Sequence, residues 1–554
     1  MESQLKKTPE EMVNGISDGE GGLYSPDGKK LLAYDGRSSS YAVKEGTVEI
    51  CKMAFSESSL VSLTLPDSLT HIGDGAFGEC KSLSVITLPD SLTHIGNGAF
   101  FCCEDLSAIA FPESLTHIGD GAFLECESLS VITLPDSLTH IGAGAFSGCK
   151  NLRVITLPES LRYIGDYAFS ESSLVSLTLP KSLTHIGEAA FFSCDLCEVI
   201  LPNSLTHIGN GAFFCCEDLS AIAFSDSLTH IGDGAFGECK SLSVITLPDS
   251  LTHIGGGAFS DCKNLSVITL PDSLTHIGDG VFRSCKNLRE ITLPSSLTHI
   301  GGEFLSGSGV RKIHCYSSHF KVLDDVLYTS NMKTLISYFS KSKQFTIPNS
   351  VTRIEDGAFS GCRNLRAITL PESVVHIGKG AFSGCRNLRA ITLPESLAYV
   401  GEGVFSGCVS LAALVFPKML MHIGADAFLR CENLRAVTLP DSLTHIGAGA
   451  FSDCKNLRAI TFSKSLTHIG NGAFSYCRNL RAITLPRSLT HIGKSAFSHC
   501  EKLCMITLPI SLMDIGEDVF YECSNLSIIN IPRGCVSLFE EILDSDFHSK
   551  FQEI

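Results

Sequence analysis

Cysteine, histidine and arginine recur in this chain at spacings that could carry chemistry. The 554 residues include 24 Cys and 19 His. Seventeen of the cysteines stand three places after a Phe, from Cys80 to Cys523, with Cys239 and Cys477 as further examples. Thiols in such number could hold a metal or form disulfides. A spacing of 22 or 23 residues resembles no zinc-ligand pattern, so these residues read as a reduced, inward column of small hydrophobes. Such a column suits a reducing compartment. Cys102-Cys103 and Cys215-Cys216 are adjacent, so one member of each pair must face another way. Fifteen histidines occupy a Thr-His-Ile-Gly slot from His71 to His491, and Tyr163, Arg353, Tyr399 and Asp514 replace them elsewhere. A slot that accepts Tyr, Arg and Asp is exposed or half-exposed. Imidazoles one strand spacing apart could chelate a transition metal or resist protonation as a group, against the plainer reading of a ladder inherited by copying. No acid–base pair, phosphate loop or nucleophile motif accompanies them, and a repeated His without a repeated carboxylate and nucleophile makes no triad. No enzyme activity, cofactor or metal is therefore expected.

Arginine supplies the asymmetry. Residues 56–304 hold 10 Lys+Arg against 29 Asp+Glu, a net −19, whereas residues 346–532 hold 17 against 14, a net +3. The change follows one alteration, Lys-Ser-Leu-Ser in many early units becoming Arg-Asn-Leu-Arg in later ones. Arg363, Arg366, Arg386, Arg389, Arg435, Arg458, Arg478 and Arg481 would line up in two rows. Guanidinium forks in a row suit carboxylate, sulfate or phosphate, so an acidic glycan or an acidic protein face is the expected partner. The alternatives are a plain solvated surface, or neutralisation by acids such as Glu432 and Asp453. An outward Thr column through Thr64, Thr87, Thr133, Thr246, Thr369, Thr438 and Thr484 could meet ice or a crystalline polymer, but Ala110, Ala223, Val415 and Asn530 interrupt it. The whole chain carries 42 Lys+Arg against 59 Asp+Glu, a net −17, which argues against a nucleic-acid partner.

These columns exist because the sequence repeats. Phe recurs at Phe55, Phe77, Phe100, Phe123, Phe146, Phe169, Phe191, Phe213, Phe236, Phe259, Phe282 and Phe304, in steps of 22 or 23. The series resumes at Phe359 and runs through Phe474 to Phe520, every step 23. Within a unit, Leu83-x-x-Ile86-x-Leu88 fits a short strand with Ile and Leu inward and Thr87 outward. Pro89 ends it, and 18 of the 20 prolines occupy this slot. Leu69 and Ile72 form a second inward edge, Gly73 is expected to take an unusual φ at the corner, and Ala76 and Phe77 fill the wedge. One unit buries too little apolar surface to fold alone, so neighbours must share a continuous core. The expected architecture is a right-handed β-rich solenoid of 22–23-residue turns with parallel strands. Glu57-Ser-Ser-Leu-Val-Ser-Leu recurs from Glu171, and Asn97-Gly-Ala-Phe-Phe-Cys-Cys recurs from Asn210, so a block of turns was copied in tandem.

The unit Leu-Pro-x-Ser-Leu-Thr-His-Ile-Gly-x-Gly-Ala-Phe-x-x-Cys-x-x-Leu-x-x-Ile resembles the BspA-like class of leucine-rich repeats over roughly residues 45–532. The resemblance implies a leucine-rich-repeat array and a non-enzymatic scaffold that binds proteins or glycans in the manner of surface adhesins. An intracellular interaction scaffold or an injected effector is the other reading, and a metal- or pH-responsive use of the His column a third.

Residues 305–345 break the period and align without gaps to the N-terminal segment at an offset of 304. Leu23-Tyr24 matches Leu327-Tyr328, and Leu31 to Tyr34 matches Leu335 to Tyr338. Ser25-Pro26-Asp27-Gly28 is a turn signal between apolar runs, so each place should hold a β-hairpin. The expected organisation is an irregular or disordered N-terminus over 1–21 and a cap of hairpin and atypical turn over 22–55. An acidic repeat segment over 56–304 should follow, then the hairpin joint at 305–345, a neutral-to-basic segment over 346–532 and a capping helix over 533–554. From Cys535 onward, Leu538, Phe539, Ile542, Leu543, Phe547 and Phe551 would share the helix face. No apolar run reaches the roughly 18 residues a span needs, and the N-terminus shows no apolar signal region. Cytoplasmic location or non-classical export is thus expected, with the cell surface implied only by the resemblance.

Overall fold

The computed structural model describes residues 12–554. The expected irregular N-terminus lies outside the described residues for 1–11; beyond them, Ile16–Ser17 already forms a strand, antiparallel to Gly22–Tyr24.

Each regular turn contributes two short strands. The Ile of Val85–Thr87 is buried between an exposed Val and an exposed Thr, the outcome of a two-residue period on a sheet with one wet face. His71–Ile72 is the second strand, with Ile72 inward. Both pair in parallel with their counterparts one turn away: Val85 faces Ala108 and His71 faces His94. Like residues therefore stack on like, which turns sequence slots into columns. Among the described residues the strands from His71–Ile72 to His299–Ile300 join the first meander in a fifteen-stranded sheet, the opposite strands from Ser40–Ala42 to Ala221–Ala223 form a nine-stranded one, and the other turns continue in shorter sheets. The array is the expected β solenoid of leucine-rich-repeat turns in two segments separated by a hairpin.

A third backbone ladder runs through the corner. The amides of Gly75, Phe77 and Glu79 donate to the carbonyls of Asn97, Ala99 and Phe101 in the next turn at 2.7–2.8 Å. Two left-handed residues make this possible, Gly75 at φ 58° and Glu79 at φ 57°, two places either side of Phe77. The structure corrects the role expected for Gly73, which is not left-handed. A Cβ there would lie 2.7 Å from the Lys52 amide nitrogen, so the slot needs glycine for close approach of the preceding turn.

The core is a stack of phenylalanines. Phe77 and Phe100 have ring centroids 4.9 Å apart, Phe213 and Phe236 5.4 Å, and Phe474 and Phe497 5.4 Å, with planes within about 11° of parallel. All are buried, together with the Leu, Ile and Ala slots around them. Offset stacking of this kind adds to the area each ring buries.

The chain divides into two compact units, one of residues 1–301 with 308–310 and one of 302–307 with 311–554. In the first, Gly22–Tyr24 pairs antiparallel with Lys30–Tyr34, whose Leu31 then pairs in parallel with Ile50. In the second, Val326–Thr329 pairs antiparallel with Thr334–Tyr338, whose Leu335 pairs in parallel with Ile354. These partners are displaced by the same offset, including a register shift after Leu23 and after Leu327, whereas the outer pair differs by one residue, Ile16 facing Tyr24 and Phe320 facing Thr329.

The C-terminus departs from the expected single helix. An α-helix covers only Val536–Ile542, a 3₁₀ helix covers Ser545–Lys550, and Phe551–Glu553 is a strand paired in parallel with Ile529–Ile531. Leu538 is exposed while Phe539 is buried. The unpaired edge of the last strand is what wins over helical periodicity: its N–H and C=O groups find partners in the final residues. Among the described residues no helix is long and apolar enough to cross a membrane.

Candidate functional site

The parallel ladder places the second Arg of Arg-Asn-Leu-Arg immediately before a strand. Arg389 donates its amide to the carbonyl of Arg366 at 3.1 Å, and Arg458 to Arg435 at 2.8 Å. Ala412 separates these pairs, and Cys504 follows Arg481. All five side chains are exposed. Among the described residues none of Arg366, Arg389, Arg435, Arg458 and Arg481 has a carboxylate within 4.0 Å. The first Arg of the motif forms a looser set. Arg363 and Arg386 occupy successive turns, but Val409, Glu432 and Lys455 hold the next three, and Arg478 pairs with Glu501 at 3.5 Å. Glu432 and Asp453 do not neutralise the rows: Glu432 pairs with Lys455 at 2.9 Å and Asp453 with Arg430 and Lys455 at 3.6 Å. This side of the motif, interrupted at Ala412, thus presents guanidinium groups without carboxylate partners among the described residues.

The seventeen cysteines lie inside, and all but Cys362 are fully buried. Their thiols also have hydrogen-bond partners. Cys80 donates to the carbonyl of Phe55 at 3.1 Å, Cys239 to Phe213 at 3.2 Å and Cys477 to Phe451 at 3.2 Å, which holds the loop after each Phe to the turn before it. Ser172, in the same slot, donates to the Phe169 carbonyl at 2.7 Å. Burial pushes the thiols of Cys149 and Cys454 up to about 12. Cys102 and Cys215 are the outward members of their pairs, and each contacts a Glu of the next turn. Cys215, Glu217 and Glu238 bring ligand atoms within 4.8 Å of one another, the one such group of three among the described residues, and Glu217 is already paired with Lys240.

The histidines form stacked ladders along the edge of the His-Ile sheet. His207, His230, His253 and His276 have successive centroids 4.5 Å apart, with planes 8–11° from parallel. His422, His445, His468 and His491 follow at 4.8, 4.6 and 4.5 Å. The run from His94 to His140 is wider, at 5.9 and 5.6 Å. Tyr163 interrupts the column. Where a Thr precedes the ring, Nδ1 lies 2.8–2.9 Å from its hydroxyl, as in Thr252–His253 and Thr116–His117; His422 follows Met421 and lacks this contact.

Three features escaped the sequence reading. Asp and Asn after the slot glycine accept the amide of the next turn, as from Asn97 to Asp74 and from Asp120 to Asn97, at 3.0 and 2.9 Å. Their signal was the frequent Ile-Gly-Asp/Asn. The residue beside the inward Ile is apolar yet outward: Val85, Val131 and Val154 are more than half exposed. Period-two alternation already places them there. A cleft of about 620 Å³ lies across Ser176–Leu179 and Glu198–Ser204, where two successive turns have 22 residues instead of 23.

The BspA-type leucine-rich-repeat model matches residues 48–172, 139–231, 206–334, 336–458 and 421–547. The chain belongs to that family. No curated protein matches it. Among solved structures, a leucine-rich cell surface protein from Faecalibacterium prausnitzii is 27% identical over 81% of this chain and 94% of its own, with a TM-score of 0.47. A leucine-rich repeat protein from Bacteroides ovatus is 25% identical over 85% and 91%, with a TM-score of 0.32. The pneumococcal vaccine antigen PcpA is 17% identical over 76% and 87%, with a TM-score of 0.41.

Proposed function

We propose that this BspA-type repeat protein is a non-enzymatic binding scaffold whose second unit engages an anionic partner, an acidic glycan or an acidic protein face. The supporting observation is the row of Arg366, Arg389, Arg435, Arg458 and Arg481, exposed and free of carboxylate partners within salt-bridge distance. A planar guanidinium offers a fork of donors to carboxylate or sulfate, and five on one ladder suit a polymer of repeated charge. The first unit, with a net −19 over residues 56–304, repels the same ligand and confines it to the second. The outward Ala and Thr of these strands, as in Ala367–Thr369 and Ala482–Thr484, add area beside the row. Binding by area and a few anchors fits a repeat surface better than it fits catalysis.

Replacing Arg366, Arg389, Arg458 and Arg481 by Ser, the residue at this slot in many early turns, tests the reading in the full chain. The parent should be retained on a sulfated-polysaccharide column, with retention falling steeply with salt. The variant should elute early. Equal retention of parent and variant would reduce the row to a solvated face.

A further inference from the structure

The histidine ladders have a fixed tautomer at His230, His253, His276, His445, His468 and His491. The hydroxyls of Thr229, Thr252 and Thr275 each donate to the carbonyl of the Thr one turn earlier at 3.1 Å. Thr467 and Thr490 do the same in the second unit, at 3.1 and 3.0 Å. Each hydroxyl has one proton, and the carbonyl takes it. The 2.8 Å contact with the following imidazole must then be an Nδ1–H donating to the Thr oxygen. Nε2 is left as the unprotonated nitrogen, on rings at the solvent-facing edge. A hydroxyl holding one ring N–H while the other nitrogen keeps its lone pair is the support that ligating histidines receive in metal sites.

Spacing then decides which rings can act together. A metal–imidazole bond is about 2.0–2.1 Å, so two nitrogens in adjacent positions on one ion lie roughly 3 Å apart. Rings stacked at 4.5 Å must turn their Nε2 edges toward each other to meet one ion, and the wider pairs His94–His117 and His117–His140, with centroids 5.9 and 5.6 Å apart, must close a larger gap. We propose that the runs His207–His276 and His422–His491 are chelating sites for a divalent transition metal of the Ni²⁺ or Zn²⁺ class, bound through Nε2 of neighbouring rings with water completing the shell. Soft thiolate donors do not compete from the column, since those cysteines are buried.

Equilibrium dialysis of the full chain with Ni²⁺ tests this. The quadruple variant His230→Gln, His253→Gln, His445→Gln, His468→Gln should lose at least tenfold in apparent affinity. The double variant His117→Gln, His140→Gln should bind as the parent does, since it removes imidazoles of the same slot at the wider spacing of 5.6–5.9 Å and leaves the pair His71–His94 at 4.7 Å intact. Bound Ni²⁺ should show no thiolate charge-transfer band. Thermal unfolding verifies the fold, and a His230→Tyr, His253→Tyr, His445→Tyr, His468→Tyr variant, using a residue native to the slot at Tyr163 and Tyr399, should repeat the loss. Equal binding by parent and quadruple variant overturns the proposal. So does an equal loss in the His117/His140 variant, which would mean that imidazole number and not spacing matters, and so does a thiolate band.

Discussion

At the residue scale the chemistry of each column is set by which way its slot faces. Cys149 and Cys454 are buried and their thiols are pushed up to about 12, so almost none is thiolate near neutrality. A thiol reagent at pH 8 should therefore label exposed Cys197 and Cys504 promptly and the column only after denaturation. Mass spectrometry after a short pulse reads this directly, and prompt native labelling of most of the column would contradict burial. The histidines behave in the opposite sense. Partial burial, and then the neighbouring His71 and His117, hold His94 below the usual imidazole value. Partial burial and then Arg353 do the same to His376. A folded-state value below the unfolded one means the unfolded chain binds more protons as pH falls. The contribution to stability is present above about pH 6.5 and is lost as pH falls through the lowered folded value. NMR titration of the metal-free protein should give midpoints below 6.5 for both. In a His94→Gln variant, stability should fall less between pH 7 and pH 5 than in the parent.

At the scale of the turn, nearest-neighbour contacts dominate. Replacing Phe236 by Ala removes a ring stacked between Phe213 and Phe259 and should cost about 3–5 kcal/mol. Hydrogen exchange should rise around residues 210–260 and stay nearly unchanged near Phe474, since each turn touches only its neighbours. Uniform loss of protection would show one cooperative array instead. Two glycines of one turn separate two kinds of requirement. Gly257 is left-handed with nothing closer than 3.5 Å to an added Cβ, so Gly257→Ala should cost about 1–2 kcal/mol. Gly255→Ala puts a Cβ 2.5 Å from the Asp233 amide nitrogen, a backbone clash, and should unfold at distinctly lower denaturant. The sequence carried the inward Leu, Ile, Phe and Cys slots because burial selects residue type at a fixed period. It did not carry the role of Gly73, since close approach and positive φ both select glycine and only the neighbouring turn tells them apart. Nor did it carry the strand Phe551–Glu553, whose apolar residues also fit a helical face; a long-range partner, Ile529–Ile531, decided the matter. The Arg and His positions, with the gap at Ala412, were legible as columns, while the pairing of Arg478 and the Thr-held tautomer depended on atomic detail.

At the scale of the whole molecule, copying is the organising event. The meander that opens the second unit repeats the first down to its register shift, so two arrays of different charge begin with one device. Charge then diverged on exposed slots while the buried slots stayed the same, which is how a scaffold changes partner without changing fold. The corner ladder has an electrical consequence. Ordinary strands point successive peptide dipoles in alternating directions, and they largely cancel. The amides of Gly75, Phe77 and Glu79 all point toward the following turn, and so do their counterparts Gly98, Phe100 and Cys102. Their dipoles add along the stack, so this edge of each unit is polarised lengthwise, positive toward its C-terminal end and negative toward its N-terminal end, the reverse of an α-helix.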